Sequence, residues 1–136
     1  MIKPIQKDIF FLRKKAMPMT ASDIAVADDL RDTLLAHAYE CVGMAANMIG
    51  VNKSLIGFFN EGQYMEMLNP RIVSKAMPYE VEEGCLSLTG VRTATRYNLV
   101  TVRYSTRTFE EKQQVFTGFT AQIIQHEMDH LNGIII

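Results

Sequence analysis

Two of the chain's three histidines stand four residues apart, and this spacing constrains the sequence more than any other feature. They are His126 and His130, and Glu127 directly follows the first of them. On an α-helix, side chains at i and i+4 lie on one face, so two imidazoles placed there can bind one metal ion. Glu127 lies about 100° further around the helix, where its carboxylate can reach a water on that ion. The stretch therefore predicts a helix that carries a metal site beside an acid/base group.

A catalytic metal site needs a third protein ligand, and the sequence offers several candidates. These are Cys85, Cys41 and the acidic residues. Cys85 lies in a Gly-Cys-Leu turn after a predicted strand, where a thiolate can face the helix; a buried cysteine that only fills space is the alternative. A divalent cation beside two imidazoles strongly favours the thiolate. Three protein ligands leave the fourth tetrahedral position for water, as hydrolysis requires.

Composition limits the classes of protein that the chain can belong to. Its 136 residues, 48% hydrophobic and 21% charged, suit one globular domain that spans residues 1–136. A net charge of −1 without a basic stripe argues against direct nucleic-acid binding. No apolar run approaches the roughly 20 residues of a membrane span. Two cysteines and the absence of a signal-peptide pattern predict a cytoplasmic protein.

The periodicity of apolar residues predicts an α+β fold. Helical spacing predicts one N-terminal amphipathic helix over 20–39, after an irregular lead-in, and a C-terminal helix over 118–131. Between them, β-branched runs and turn residues predict short, mostly antiparallel strands around the C-terminal helix that carries the two histidines. These predicted strands cover residues 54–59, 64–68, 71–74, 79–83, 91–95, 99–104 and 112–116, with a short β-type tail at 134–136. The small residues Gly43, Ala45, Ala46 and Gly50 let another backbone or a ligand come close to an extended segment at 42–46, and a tightly packed strand is the alternative.

Three stretches resemble the motifs of peptide deformylases, in the same order along the chain. They are Val-Gly-Met-Ala-Ala at 42–46, Glu-Glu-Gly-Cys-Leu-Ser at 82–87 and Gln-His-Glu-Met-Asp-His-Leu-Asn-Gly at 125–133. The resemblance implies a metal ion held by Cys85, His126 and His130, with Fe²⁺ as the usual physiological ion and Zn²⁺, Ni²⁺ or Co²⁺ as substitutes. It also implies that Glu127 is the general acid/base.

The resemblance further implies a substrate and a binding site for it. The reaction would be removal of the N-formyl group from N-formylmethionyl peptides and from nascent chains at the ribosome, by attack of a metal-bound hydroxide. The backbone N–H of Leu86 would help to stabilise the oxyanion. We expect a monomer. The residues implied in substrate binding, for which core packing or surface exposure is the alternative, are Val42, Gly43, Val81, Ile123 and Arg92.

Two positions depart from the family's first motif. Met48 stands where the family has a glutamine whose side-chain amide stabilises the oxyanion, and a thioether cannot donate a hydrogen bond. Removing one such donor typically costs about 2.7–4 kcal/mol, or roughly 10²–10³ in turnover. Asn47 is a possible substitute donor, but in an extended strand its side chain points to the opposite face. Cys41 similarly replaces the first glycine of the motif.

These departures leave two classes of function open. The first is a working deformylase, with activity reduced by Met48. The second is a deformylase-like metal-binding protein with little or no activity, which serves as a binding or decoy module. Glu127 favours the first, since a site without catalysis has no need of an acid/base. A metalloprotease is disfavoured, because its third ligand normally follows downstream and only six residues follow His130.

Overall fold

The middle of the chain forms one antiparallel sheet in which each strand pairs with the next along the sequence. The computed structural model describes residues 1–134, and the sheet order is β1-β2-β3-β4-β5. The strands are β1 Gly43–Ala45, β2 Leu55–Asn60, β3 Gln63–Cys85, β4 Leu88–Ser105 and β5 Glu111–Thr117. Glu61 and Gly62, both at positive φ, connect β2 to β3 as the tight turn that the sequence predicts. Fold class is therefore α+β, as predicted.

The long hairpin of β3 and β4 differs from the prediction of several short strands. The stretches predicted at 64–68, 71–74 and 79–83 all belong to β3. Those predicted at 91–95 and 99–104 both belong to β4. Pro70 lacks an N–H and Asn69 has a φ of 51°, yet they only shift the register between Leu68 and Arg71. Pairing with β4 resumes at Arg71, so Asn69 and Pro70 interrupt the hydrogen-bonding register without ending the strand.

Within residues 1–134 there are three α-helices: α1 Ile9–Leu12, α2 Ile24–Ala36 and α3 Gly118–Leu131. The bounds of α3 match the prediction. The predicted helix over 20–39 is shorter, because a 3-10 turn, Ala21–Asp23, precedes α2. The N–H of Thr20 donates to Asp23 Oδ2 at 2.8 Å and fixes that turn. The lead-in predicted to be irregular contains α1.

Helix α3 packs across the sheet, against β1, β2, β4 and β5. Ala121 and Ile124 of this helix are fully buried, and its two histidines, His126 and His130, are buried as well. The N-terminal segment of the chain contacts the C-terminal end of α3, where Ala16 N–H donates to Leu131 O at 2.7 Å. No helix within residues 1–134 is both long and apolar enough to cross a membrane. The tail predicted at 134–136 lies largely outside the described residues, since 135 and 136 are not described.

The extended segment predicted at 42–46 is shorter in the structure. Only Gly43–Ala45 is a strand, and a 3-10 turn, Ala46–Ile49, follows it. Gly50, at a φ of 81°, ends this turn. The turn removes the strict alternation of faces on which the sequence analysis placed the side chains of Asn47 and Met48.

Candidate metal centre and its cavity

Helix α3 and the tip of the β3–β4 hairpin bring three metal-binding side chains together. The ligand atoms of Cys85, His126 and His130 all lie within 4.8 Å of one another. Both histidines are buried, and their Nε2 atoms are 3.2 Å apart. The i, i+4 spacing accounts for the two rings, while the strand end places the sulfur against them. The structure thus juxtaposes the three residues that the sequence analysis proposed as ligands.

The geometry and chemistry of these donors fit a divalent cation. Two nitrogens bound tetrahedrally at about 2.0–2.1 Å from one ion would be roughly 3.4 Å apart, close to the observed separation of the two Nε2 atoms. One sulfur with two imidazoles suits zinc or iron rather than magnesium or calcium. Glu127 adds an independent sign, because its buried Oε1 has no hydrogen-bond partner among the described residues. A buried carboxylate oxygen of this kind is available to a bound water.

Glu83 determines which nitrogen of His126 carries the proton. Its Oε1 lies 2.8 Å from His126 Nδ1. Burial opposes ionisation of Glu83, but hydrogen bonds from His126 and Arg96 outweigh burial and lower its pKa to about 2. An ionised carboxylate only accepts, so His126 Nδ1 donates. A neutral His126 then has its free lone pair on Nε2, the atom nearest His130.

The two histidines differ in their affinity for protons. Burial opposes protonation of His126, but hydrogen bonds to Cys85 and Glu83 outweigh it and raise its pKa to about 10. Burial, followed by the positive charge on His126, lowers the pKa of His130 to about 3. A cation therefore competes with a proton at His126, whereas His130 offers a neutral ring at neutral pH.

Burial raises the pKa of Glu127 to about 7, and the positive charge on His126 only partly opposes this. A carboxyl group with a pKa near the working pH can both accept and return a proton. Glu127 is 4% exposed and lines the same cavity as Cys85 and His126. Its position and its pKa therefore suit the acid/base role that the sequence analysis proposed.

Arg96 is a buried charged residue that the sequence analysis did not identify. Its guanidinium binds both oxygens of Glu83 and also donates to Asp129 Oδ2 at 2.6 Å. The proposed substrate residue was Arg92, which is partly exposed, donates to Thr89 O at 3.3 Å and does not line the cavity. Glu83 was within reach of sequence reasoning, because it lies two residues before Cys85 and so on the same face of a strand. Nothing local in the sequence distinguishes Arg96 from Arg92.

A cavity of about 320 Å³ opens beside these residues. Val42, Gly43, Leu86 and Ile123, all proposed from the sequence, line it, and so does Gln122, which was not proposed. Val81 does not line the cavity, because it lies on β3 beyond Glu83, opposite Ala94. A volume of this size lies in the range of small-ligand sites.

Met48 and Asn47 occupy different surroundings. Met48 lines the cavity, and its Sδ accepts a weak hydrogen bond from Ala45 N–H at 3.4 Å. Asn47 is fully buried away from the cavity, where its Nδ2 donates to His130 O at 2.7 Å. This geometry does not support Asn47 as a substitute oxyanion donor, since its amide is already bound to the backbone of α3.

Comparisons with known proteins identify the family. The family model for polypeptide deformylase matches residues 2–136. A peptide deformylase from Clostridium beijerinckii is 56% identical over 136 residues, which is the full length of both chains. One from Pseudothermotoga lettingae is 36% identical over 129 residues, covering 91% of this chain and 74% of that protein.

Solved structures agree with the sequence relatives. A class I type b peptide deformylase from Acinetobacter baumannii, bound to Met-Ala-Ser, superposes with a TM-score of 0.89 at 31% identity, covering 99% of this chain and 97% of the other. The Thermotoga maritima peptide deformylase gives 0.88 at 27% identity, with 99% and 95% covered. The fold, the metal-binding side chains and the relatives therefore agree, and this chain belongs to the peptide deformylase family of metal-dependent hydrolases.

Proposed function

We propose that this protein removes the N-formyl group from N-formylmethionyl peptides and nascent chains, with Cys85, His126 and His130 holding Fe²⁺. The observation that carries the proposal is that these three donors meet beside the unpaired carboxylate oxygen of Glu127 on a cavity wall. Zn²⁺, Ni²⁺ or Co²⁺ would fit the same donors. When bound, the ion activates water and polarises the formyl carbonyl.

The chain's own residues supply the proton transfers and part of the charge stabilisation. Glu127 takes a proton from the attacking water and delivers it to the leaving amine nitrogen. Burial raises the pKa of Glu127 and so favours its uptake of that proton. The backbone N–H of Leu86, in the turn after Cys85, donates to the oxygen of the formyl group as negative charge develops there.

The substrate enters as an extended peptide. The Acinetobacter relative is bound to Met-Ala-Ser, a peptide that begins with methionine. Here β1 is the outermost strand of the sheet and Gly43 lines the cavity, so the outer edge of β1 would add such a peptide as a further strand. Main-chain hydrogen bonds of this kind read no side-chain sequence. Val42, Gly43 and Ile123 would contact the methionine side chain. We further propose that the protein acts as a cytoplasmic monomer of one domain, on chains leaving the ribosome.

Met48 makes reduced activity part of the proposal. The Asn47 amide is bound to His130 O, and the amide of Gln122, which lines the cavity, donates to Glu83 Oε2 at 3.0 Å. The oxyanion would therefore depend on the Leu86 N–H and the metal ion. The alternative is a metal-binding protein with little activity, which serves as a binding or decoy module. Glu127 Oε1, which is buried and has no hydrogen-bond partner within residues 1–134, favours the enzyme, because such an atom is costly to keep without a role.

Formate release from formyl-Met-Ala tests the proposal. Protein loaded with Fe²⁺ under anaerobic conditions, or with Ni²⁺, should turn the peptide over, more slowly than relatives that carry the glutamine. Metal-free protein and unformylated Met-Ala are the controls. No turnover at full metal occupancy would favour the alternative.

A further inference from the structure

We propose that Arg96 is a positioning residue for the candidate metal centre, because it holds Glu83 and thereby fixes the orientation of the His126 ring. This inference rests on the metal-binding part of the proposed function. Arg96 touches neither the cavity nor the three candidate ligands directly in the contacts found for the described residues. Arg96 would act on the site through the carboxylates of Glu83 on β3 and Asp129 on α3.

The first contact is a bidentate pair that fixes the plane of a carboxylate. Arg96 Nη2 donates to Glu83 Oε1 at 2.6 Å, and Arg96 Nε donates to Glu83 Oε2 at 3.0 Å. Both side chains are buried, with 4% of Arg96 exposed. The fork of a guanidinium matches both oxygens of a carboxylate, so it sets the orientation as well as the position of Glu83.

The oriented carboxylate then holds a ring that faces the metal site. Glu83 Oε1 lies 2.8 Å from His126 Nδ1, while His126 Nε2 lies 3.2 Å from His130 Nε2. A guanidinium has only donors, so the carboxylate between it and the ring acts as acceptor, and Nδ1 is the donor. Histidine ligands commonly use such a partner to fix both tautomer and ring direction.

Arg96 also contacts α3 through its Nη1 atom. Nη1 donates to Asp129 Oδ2 at 2.6 Å, and Asp129 directly precedes His130 on α3. One guanidinium on β4 therefore ties β3, which carries Cys85, to α3, which carries both histidines. Removing it would loosen the relative position of the sulfur and the two rings.

Arg107 provides a control for the loss of an arginine that bridges carboxylates elsewhere in the fold, and its side chain is 32% exposed against 4% for Arg96. It also bridges two carboxylates, donating to Glu66 Oε1 at 3.0 Å and to Asp28 Oδ1 at 2.6 Å. None of these three residues lines the cavity beside Cys85 and His126. Its loss should therefore disturb the fold without disturbing the metal site.

The experiment compares Arg96→Met, Arg96→Lys and Arg107→Met with the wild-type protein. Co²⁺ affinity is measured by competition with a chromophoric chelator, the Co²⁺-loaded proteins are compared by visible absorption, and thermal unfolding is followed in parallel. We expect Arg96→Met to bind Co²⁺ about 10- to 100-fold more weakly, with altered absorption bands. Arg96→Lys should fall in between, because lysine keeps the charge without the fork. Arg107→Met should keep the affinity and spectrum of the wild type.

Wild-type affinity and spectrum in Arg96→Met would overturn the proposal. Should that variant not fold, the same result in Arg96→Lys would overturn it. Equal weakening in Arg107→Met would also overturn it, since the effect would then be general. None of these measurements depends on turnover, so a failure to hydrolyse formyl-Met-Ala would count against the proposed function and leave the role of Arg96 to the Co²⁺ data.

Discussion

At the position where the sequence resemblance implies a glutamine, the thioether of Met48 lies in the cavity wall and accepts from Ala45 N–H. A glutamine there could accept the same N–H through its carbonyl and still present its amide to the cavity. The residue thus changes one property of the site, namely the number of donors available to a developing negative charge. Its effect on activity can be tested by a single substitution.

Met48→Gln should raise kcat, by up to about 10²-fold, because it restores an oxyanion donor. Met48→Leu is the control, since it keeps the apolar volume without adding a donor, and its kcat should match the wild type. Formate release at equal metal content is the measurement. A kcat that stays level or falls in Met48→Gln would mean that another group already serves the oxyanion.

Glu127→Ala should retain the metal ion and lower kcat by about 10²–10⁴-fold, because the three candidate ligands remain while the proton carrier is lost. Metal content after dialysis and formate release are measured on the same sample. Glu127→Gln, which keeps the shape, should lose activity similarly. Loss of the metal from both variants would instead give Glu127 a structural role.

Among the secondary-structure elements, the contact between β1 and α3 positions the acid/base group. Gly43 lies so close to α3 that an added Cβ would be 2.7 Å from Ile123 Cγ2 and 3.0 Å from Glu127 Oε2. The absence of a side chain at this position lets the strand approach the helix. The same approach places the edge of β1 along the cavity, beside Glu127.

Gly43→Ala should therefore displace Glu127 and lower kcat by about 10-fold or more, because small misplacements of a catalytic group are costly. Gly57→Ala is the matched control, as its Cβ would meet Tyr64 Oη at 2.8 Å, and neither Gly57 nor Tyr64 lines the cavity. Overpacking should destabilise both variants, by about 1–3 kcal/mol. Thermal unfolding and kcat are compared, and an equal loss of kcat in the two variants would contradict the prediction.

In the whole molecule, the proposed metal ion would join parts of the chain that are distant in sequence. Cys85 lies at the tip of the long hairpin, while His126 and His130 lie on the final helix. A ligand that binds only the folded state stabilises it by mass action, and at 100 times the Kd this amounts to about 2.7 kcal/mol. The ion should therefore contribute to the stability of the fold as well as to its chemistry.

Removing the metal with a chelator should lower the Tm by roughly 10 °C, from this stabilisation and the thermal response of a domain of this size. The difference between loaded and metal-free protein should shrink as the pH falls, because protons compete for the ligand atoms. Differential scanning calorimetry with and without Ni²⁺ at several pH values is the measurement. A Tm that does not respond to metal, at a pH where occupancy is verified, would show that the ion does not stabilise the fold.

Features that depend on local spacing could be predicted from the sequence. The interval between His126 and His130, with Glu127 beside the first, predicted one helical face, and α3 has the predicted bounds. The turn at Asn60-Glu61-Gly62 and the α+β class also follow from local patterns. These features are readable because each depends on residues within about one turn or one hairpin.

Which distant residues meet at the site depends on tertiary packing. Strand pairing places Arg92, not Arg96, opposite Glu83, and the two arginines share one face of β4. Arg96 is nevertheless the arginine that binds Glu83, because it is buried beside Asp129 of α3. The 3-10 turn after β1 directs the Asn47 amide to His130 O and the Met48 thioether to the cavity. Such placements depend on the approach of a helix that begins 22 residues after Arg96 and 70 residues after Met48, which no local pattern encodes.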